Sequence, residues 1–202
     1  LGAGEFARVW ERGEAVWWVA PEHRAPWVYW VYLGNFFDGA QGEFQHYFLS
    51  VTWSLAIEEH FYLIWPFLVA RFASTRRLAL FCLGVAAASA AARAGAVLLG
   101  TNSLAVYAMT PFRLDGLALG AFAAAALRTP ELAGPARRLL SRAGPAAGAA
   151  FVCIAGASLL RGARAHELQF DPLVQGAGYA LLNVAFAGLL LRAVYAEPGR
   201  AA

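Results

Sequence analysis

The sequence predicts an all-α fold: a polytopic integral membrane helix bundle with about five spans and one short re-entrant or interfacial helix. Three observations carry this expectation. Of 202 residues, 60% are hydrophobic and only 14% are charged, whereas a soluble domain carries about 25% charged and 45–50% apolar residues. Mean hydropathy is +0.52. The apolar residues also gather into runs near the roughly 20 that a helix needs to cross the hydrocarbon core. Nine prolines and twenty glycines punctuate these runs rather than replace them, which argues against a disordered chain.

Taken in order, residues 1–46 form an outer-side loop and residues 47–202 the bundle. The loop sets Arg8, Arg12 and Arg24 against Glu5, Glu11, Glu14, Glu22, Asp38 and Glu43. Within it, the aromatic stretch 26–37 (WVYWVYLGNFF and its flank) is too short to span, and its Trp and Tyr suit the headgroup level. Five runs then qualify or nearly qualify as spans: 47–70, 78–100, 104–127, 145–160 and 173–195, the fourth being the shortest. Arg71, Arg76 and Arg77 follow the first, and Arg128, Arg137, Arg138 and Arg142 follow the third. By the positive-inside rule both loops are cytoplasmic, and all five spans alternate without conflict.

Some function classes drop out early. All sixteen basic residues are Arg, scattered among apolar runs with no basic face, so no nucleic-acid partner is expected. The all-Arg, Ala-rich composition suggests a bacterial source. Cys82 and Cys153 sit in apolar runs without a CxxC or a nearby His, which reads as two buried, inert thiols with no disulfide and no metal site. The stretch EEHFYLI is not HExxH, because Ile64 stands where a second metal His would be needed. His23, His46 and His166 read as loop residues.

The chemistry concentrates in WSLAIEEHFYLIWP, residues 53–66. Glu58 lies eleven residues below Tyr47, about 16 Å at the helical rise. Arg113 lies nine residues in from Leu104 on a different span, about 14 Å deep by the same rise. A charge at the centre of a membrane helix costs roughly 2.5–3.5 kcal/mol and calls for a partner or a wet cavity. The economical pairing is Arg113 with Glu58 or Glu59. Arg113 and Asp115, two residues apart, point to different faces. Ser54, Glu58, Tyr62 and Trp65 share one helix face, with Leu55, Glu59 and Pro66 on the adjoining one. Pro66 and Pro111 should kink their helices. Gly116 and Gly120 allow another helix close approach. Arg93, seven residues from its outer helix end, is expected to snorkel to the interface. His60 is offset from both Glu faces and reads as a hydrogen-bonded core residue.

WSLAIEEHFYLIWP resembles the WSL-x-x-EEQFYLLWP signature of acyltransferase family 3, the bacterial membrane O-acyltransferases of surface and secreted glycans. TPFRLDGLALGAFAA, residues 110–124, resembles that family's R-x-D-x-L-x-x-G-x-x-x-A stretch, and the YLGNF of residues 32–36 also fits. The resemblance is strong over residues 27–127 and rests on hydrophobic pattern alone beyond. It implies a multi-pass enzyme of the bacterial cytoplasmic (inner) membrane. The enzyme would hold no permanently bound cofactor, use acetyl-CoA or another acyl-CoA as co-substrate, and acylate a hydroxyl of an extracytoplasmic glycan or similar acceptor.

Residue by residue, it implies catalytic roles for Glu58, Glu59 and Arg113. Trp53, Ser54, Tyr62, Asp115 and His60 would bind substrate or support the site. His60 replaces the family's Gln. The family's first-span Arg and His, and its late S-Y-x-x-Y-L-x-H pattern, find no counterpart, so the chain resembles the middle of such an enzyme, the fourth to eighth spans, expected to be inactive alone. In the acyl-transfer scheme the absent His is the base, a Glu orients it, and Arg113 faces the oxyanion or a phosphate of CoA. The rival reading is a secondary transporter with a midplane Glu/Arg relay, for which no inverted repeat is present. A non-catalytic subunit or degenerate relative is the third.

Overall fold

Apolar runs that satisfy their own backbone hydrogen bonds become helices. The computed structural model describes residues 27–45 and 49–196, the side chains of Tyr195 and Ala196 excepted, and no strand occurs among them. Residues 1–26 and 46–48 lie outside it, and with them His23, His46, most of the outer loop's charges and the expected start of the first span. In chain order the helices are α1 (Trp27–Trp30), α2 (Gly34–Gln41), α3 (Trp53–Arg71), α4 (Thr75–Leu98), α5 (Ser103–Ala108), α6 (Leu114–Leu127), α7 (Pro130–Leu160) and α8 (Tyr179–Ala196).

Among the described residues three helices are long and apolar enough, by length and composition, to cross a membrane: Thr75–Leu98, Pro130–Leu160 and Val174–Val194. Their outward faces carry large apolar side chains, with Leu98 at 87% and Leu160 at 92% exposure. Surfaces of this kind belong in lipid rather than water.

The elements depart from the sequence expectation in four places. The aromatic stretch is two short helices, broken at Val31–Leu33, where Tyr32 takes φ 58°. The first expected span is a 19-residue helix, α3, whose apolar character is diluted by Glu58, Glu59 and His60. Pro66 sits inside α3 without ending it. The third expected span is not one helix at all: α5 stops at Ala108, a 3-10 turn covers Thr110–Phe112, and α6 begins at Leu114. The fourth runs back to Pro130, through Pro135 and Pro145. Its added half buries Ala136, Leu140 and Gly144, and that packing holds the helix through both prolines. Arg137, Arg138 and Arg142 therefore lie on α7 and not in a loop.

The core lies between α4 and α6 and extends to α7 and α8. Leu78, Ala79, Cys82 and Ala86 of α4 meet Ala118, Leu119, Phe122 and Ala126 of α6, with Leu140 and Leu191 closing the cluster. Cys82 is buried as expected, whereas Cys153 is exposed, and both are free. Small residues dominate because, without a hydrophobic force between helices in lipid, close van der Waals approach must hold them. Gly116 lies against Asn183, whose Oδ1 stands 3.2 Å from where a Cβ would be, while nothing lies within 4 Å of that point at Gly120.

Helices α7 and α8 approach each other backbone to backbone. A Cβ on Gly188 would stand 2.5 Å from the carbonyl oxygen of Leu140 and 2.9 Å from Cα of Gly144. Both obstacles are backbone, so only helix separation relieves them. Gly188→Ala is expected to cost about 1–3 kcal/mol, the usual range for overpacking, read as a lowered unfolding temperature in detergent. An unchanged temperature would mean that the two helices slide freely.

Candidate functional site

The break between α5 and α6 is the most informative feature of the bundle. A helix interrupted in apolar surroundings frees backbone carbonyls, and each one left unsatisfied is costly. Pro111, which has no N–H, lies within the turn. Side chains from two other helices claim the freed carbonyls. Asn35 Nδ2 of α2 donates to the carbonyl of Ala108 at 3.1 Å, and from α4 Ser89 Oγ donates to that of Pro111 at 2.8 Å. Arg93 Nη1 donates to that of Phe112 at 2.6 Å. Asn35 and Arg93 are both 0% exposed.

Arg93 does more than fill one acceptor. Its Nε donates to the carbonyl of Gln175 at 2.9 Å, and its Nη2 pairs with Asp115 Oδ2 at 2.7 Å. Snorkelling is thus overturned. The guanidinium turns inward because three elements offer it acceptors: the carbonyl of Phe112 in the break, the carboxylate of Asp115 in the first turn of α6, and the carbonyl of Gln175 near the start of α8. Asp115, expected to support the site directly, is a structural partner of Arg93.

Gln175 belongs to a π-helical turn, Val174–Gly178, that opens α8. Its Nε2 donates to the carbonyl of Ser103 at 2.8 Å, tying α8 to α5. Asp171 caps this turn, accepting from the N–H of Leu173 at 2.9 Å and from Ser158 Oγ at 2.8 Å. Burial alone would raise the Asp171 carboxyl. The hydrogen bonds from Ser158, Val174 and Leu173 and the charge of Arg161 outweigh it and hold the carboxyl below its usual value.

A second node joins the three stretches of sequence singled out above. Asn35 Nδ2 donates to Thr110 Oγ1 at 2.9 Å, and His60 Nδ1 lies 2.8 Å from the same oxygen. The arrangement that uses every proton has the Thr110 hydroxyl donating to Nδ1, so the other ring nitrogen carries hydrogen. The imidazole also meets the backbone of Tyr32, the residue held at φ 58°. A non-glycine residue in that region is uncommon and strained, by about 1–3 kcal/mol.

Arg113 closes the far side of the break. Its guanidinium carbon lies 4.2 Å from the ring centre of Tyr179, 5.5 Å from that of Trp53 and 5.6 Å from that of Tyr107. Trp53 and Tyr107 are themselves in contact at 4.5 Å. The expected pairing with Glu58 or Glu59 does not form: no ion pair among the described residues reaches Arg113. The rotation of α3 explains this. It buries Ala56 and Ile57 and turns His60 inward, which leaves Glu59 half-buried and Glu58 exposed. Ser54 and Tyr62, on the Glu58 face, are likewise exposed, so neither lines the site.

The structure therefore gathers Trp53, His60, Arg113 and Asp115 from the expected set, and adds Asn35, Ser89, Arg93, Tyr107, Thr110, Gln175 and Tyr179. The sequence signal for most of the additions was the Thr-Pro pair in the middle of a span. A chain broken there needs donors from its neighbours. Chemically, the result is a half-buried cation held by ring faces, with N–H donors not taken by any carboxylate among the described residues. Such a group suits an anion or a developing oxyanion. No family model, no curated protein and no solved structure matches the chain.

Proposed function

We propose that the protein is a membrane-bound O-acyltransferase of the bacterial inner membrane. It moves an acyl group, most simply acetyl, from cytoplasmic acyl-CoA to a hydroxyl of an extracytoplasmic carbohydrate or similar acceptor. In this reading α3 and the broken α5–α6 unit complete a bundle of five crossings. The observation that carries it is the Asn35–Thr110–His60 node. YLGNF, WSLAIEEHFYLIWP and TPFRLD, the three stretches that resemble acyltransferase family 3, meet there, three residues before Arg113 in sequence.

Acyl transfer needs a positive group where negative charge grows on the acyl oxygen, and a base for the acceptor hydroxyl. Arg113 supplies the first. Glu59, half-buried and engaged in no ion pair among the described residues, is available to accept a proton or to orient a base, whereas Glu58 is exposed on the face that does not line the site. Arg93 and Asp115 hold the break, and thereby Arg113, in place. The rival reading, a secondary transporter, would carry a proton or solute past the same Glu and Arg residues.

The test uses the intact protein in sealed membrane vesicles, with labelled acetyl-CoA on the cytoplasmic side. The expected result is label on a hydroxyl of a glycan acceptor supplied on the opposite side. Proton-coupled uptake of a solute with no labelled product would overturn the reading in favour of transport.

A further inference from the structure

An apolar cavity of about 230 Å³ lies between α3, α4 and α6, and its one polar end is formed by His60 and Thr110. Trp65 and Leu68 of α3, Phe81 and Val85 of α4, and Ala118 of α6 line the rest. We infer that this cavity holds the hydrocarbon chain of the acyl donor and sets the longest chain the enzyme accepts. This rests on the acyltransferase reading above.

The lining selects its occupant. The two polar groups at its mouth already bond to each other, Thr110 Oγ1 to His60 Nδ1 at 2.8 Å, so that end is polar without presenting a spare charge. Sugars and phosphates would lose their hydrogen bonds on entry, and apolar cavities of this kind stay dry. A hydrocarbon chain loses nothing. An apolar cavity of about 150 Å³ holds benzene, so by the same packing this one holds roughly nine carbons.

The polar end lies at the helix break, three residues before Arg113 in sequence. A chain seated with its carbonyl at that end presents its reacting carbon to the break. A phospholipid tail would bring a methyl group to this depth instead, because its ester stays at the interface. The donor's chain is therefore the occupant that matches both ends.

The experiment takes the intact enzyme and compares acetyl-, octanoyl- and palmitoyl-CoA. The wild type is expected to transfer octanoyl and to refuse palmitoyl. Val85→Phe, and independently Ala118→Leu, should lower the octanoyl-to-acetyl rate ratio at least tenfold; two sites guard against one variant failing to fold. In parallel, octanoyl-CoA with a terminal diazirine should photolabel peptides 61–68 or 81–85, in competition with unlabelled octanoyl-CoA and not with added phospholipid. Labelling of this kind without transfer from any donor would keep the cavity and remove the acyltransferase reading. Labelling competed only by phospholipid, or an unchanged ratio in both folded variants, would overturn the inference.

Discussion

Arg93→Met is expected to cost about 3–5 kcal/mol, the usual penalty for breaking a buried pair by removing one partner. The loss is steep because one side chain serves two carbonyls and a carboxylate. Without it, the carbonyls of Phe112 and Gln175 lose this donor and the buried carboxylate of Asp115 loses its counter-charge. Arg93→Lys should recover little, since three donors on one nitrogen cannot span a fork. Arg93→Met combined with Asp115→Leu should recover part of the loss, because replacing both charges is far cheaper than stranding one. Thermal unfolding of the intact protein in detergent reads all four forms. If Arg93→Met melts with the wild type, the break does not depend on this guanidinium.

Arg113→Lys is expected to do the opposite: to lower acyl transfer by about 10²–10³-fold, the scale of losing one preorganised oxyanion donor, with little change in unfolding temperature. Arg113 contributes no ion pair among the described residues to the fold. Lys keeps the charge and loses the flat face that fits between Trp53, Tyr107 and Tyr179. The effect should fall on kcat rather than on KM for the acceptor. Transfer at wild-type rates by a folded Arg113→Lys enzyme would remove Arg113 from the chemistry. Since Arg93 bonds to the break and Arg113 lies in it, the contrast between the two variants separates scaffold from site.

The helical class was legible in the sequence because composition alone dictates it: an apolar chain with little charge has few other ways to satisfy its backbone. The locations of α4 and α8 followed from run length. The sequence marked a kink at Pro111, but not that the helix ends at Ala108 and restarts at Leu114. Once the break is missed, Arg93 has no visible acceptors, and the interface looks like its only refuge. The Glu58–Arg113 expectation failed for a different reason. The pairing was argued from depth along two helices, and depth says nothing of rotation. Buried Ala56 and Ile57 set the rotation of α3, and they turn His60 where a carboxylate was expected. His60 itself came out as anticipated, a hydrogen-bonded residue facing the interior.

The broken helix also constrains how the chain enters the bilayer during synthesis. With 14 residues, α6 is about 21 Å long, short of the roughly 30 Å hydrocarbon thickness. It carries Asp115 in its first turn and follows directly on Arg113. As a lone segment it would partition poorly. Helix α4, emerging first, brings Arg93, and residues 99–113, which hold α5 and the 3-10 turn, allow the two to fold back as a hairpin. Asp115 then meets its counter-charge before either is stranded in lipid. The order of synthesis thus becomes part of the folding mechanism, with α4 acting as the internal escort for the segment that bears the site.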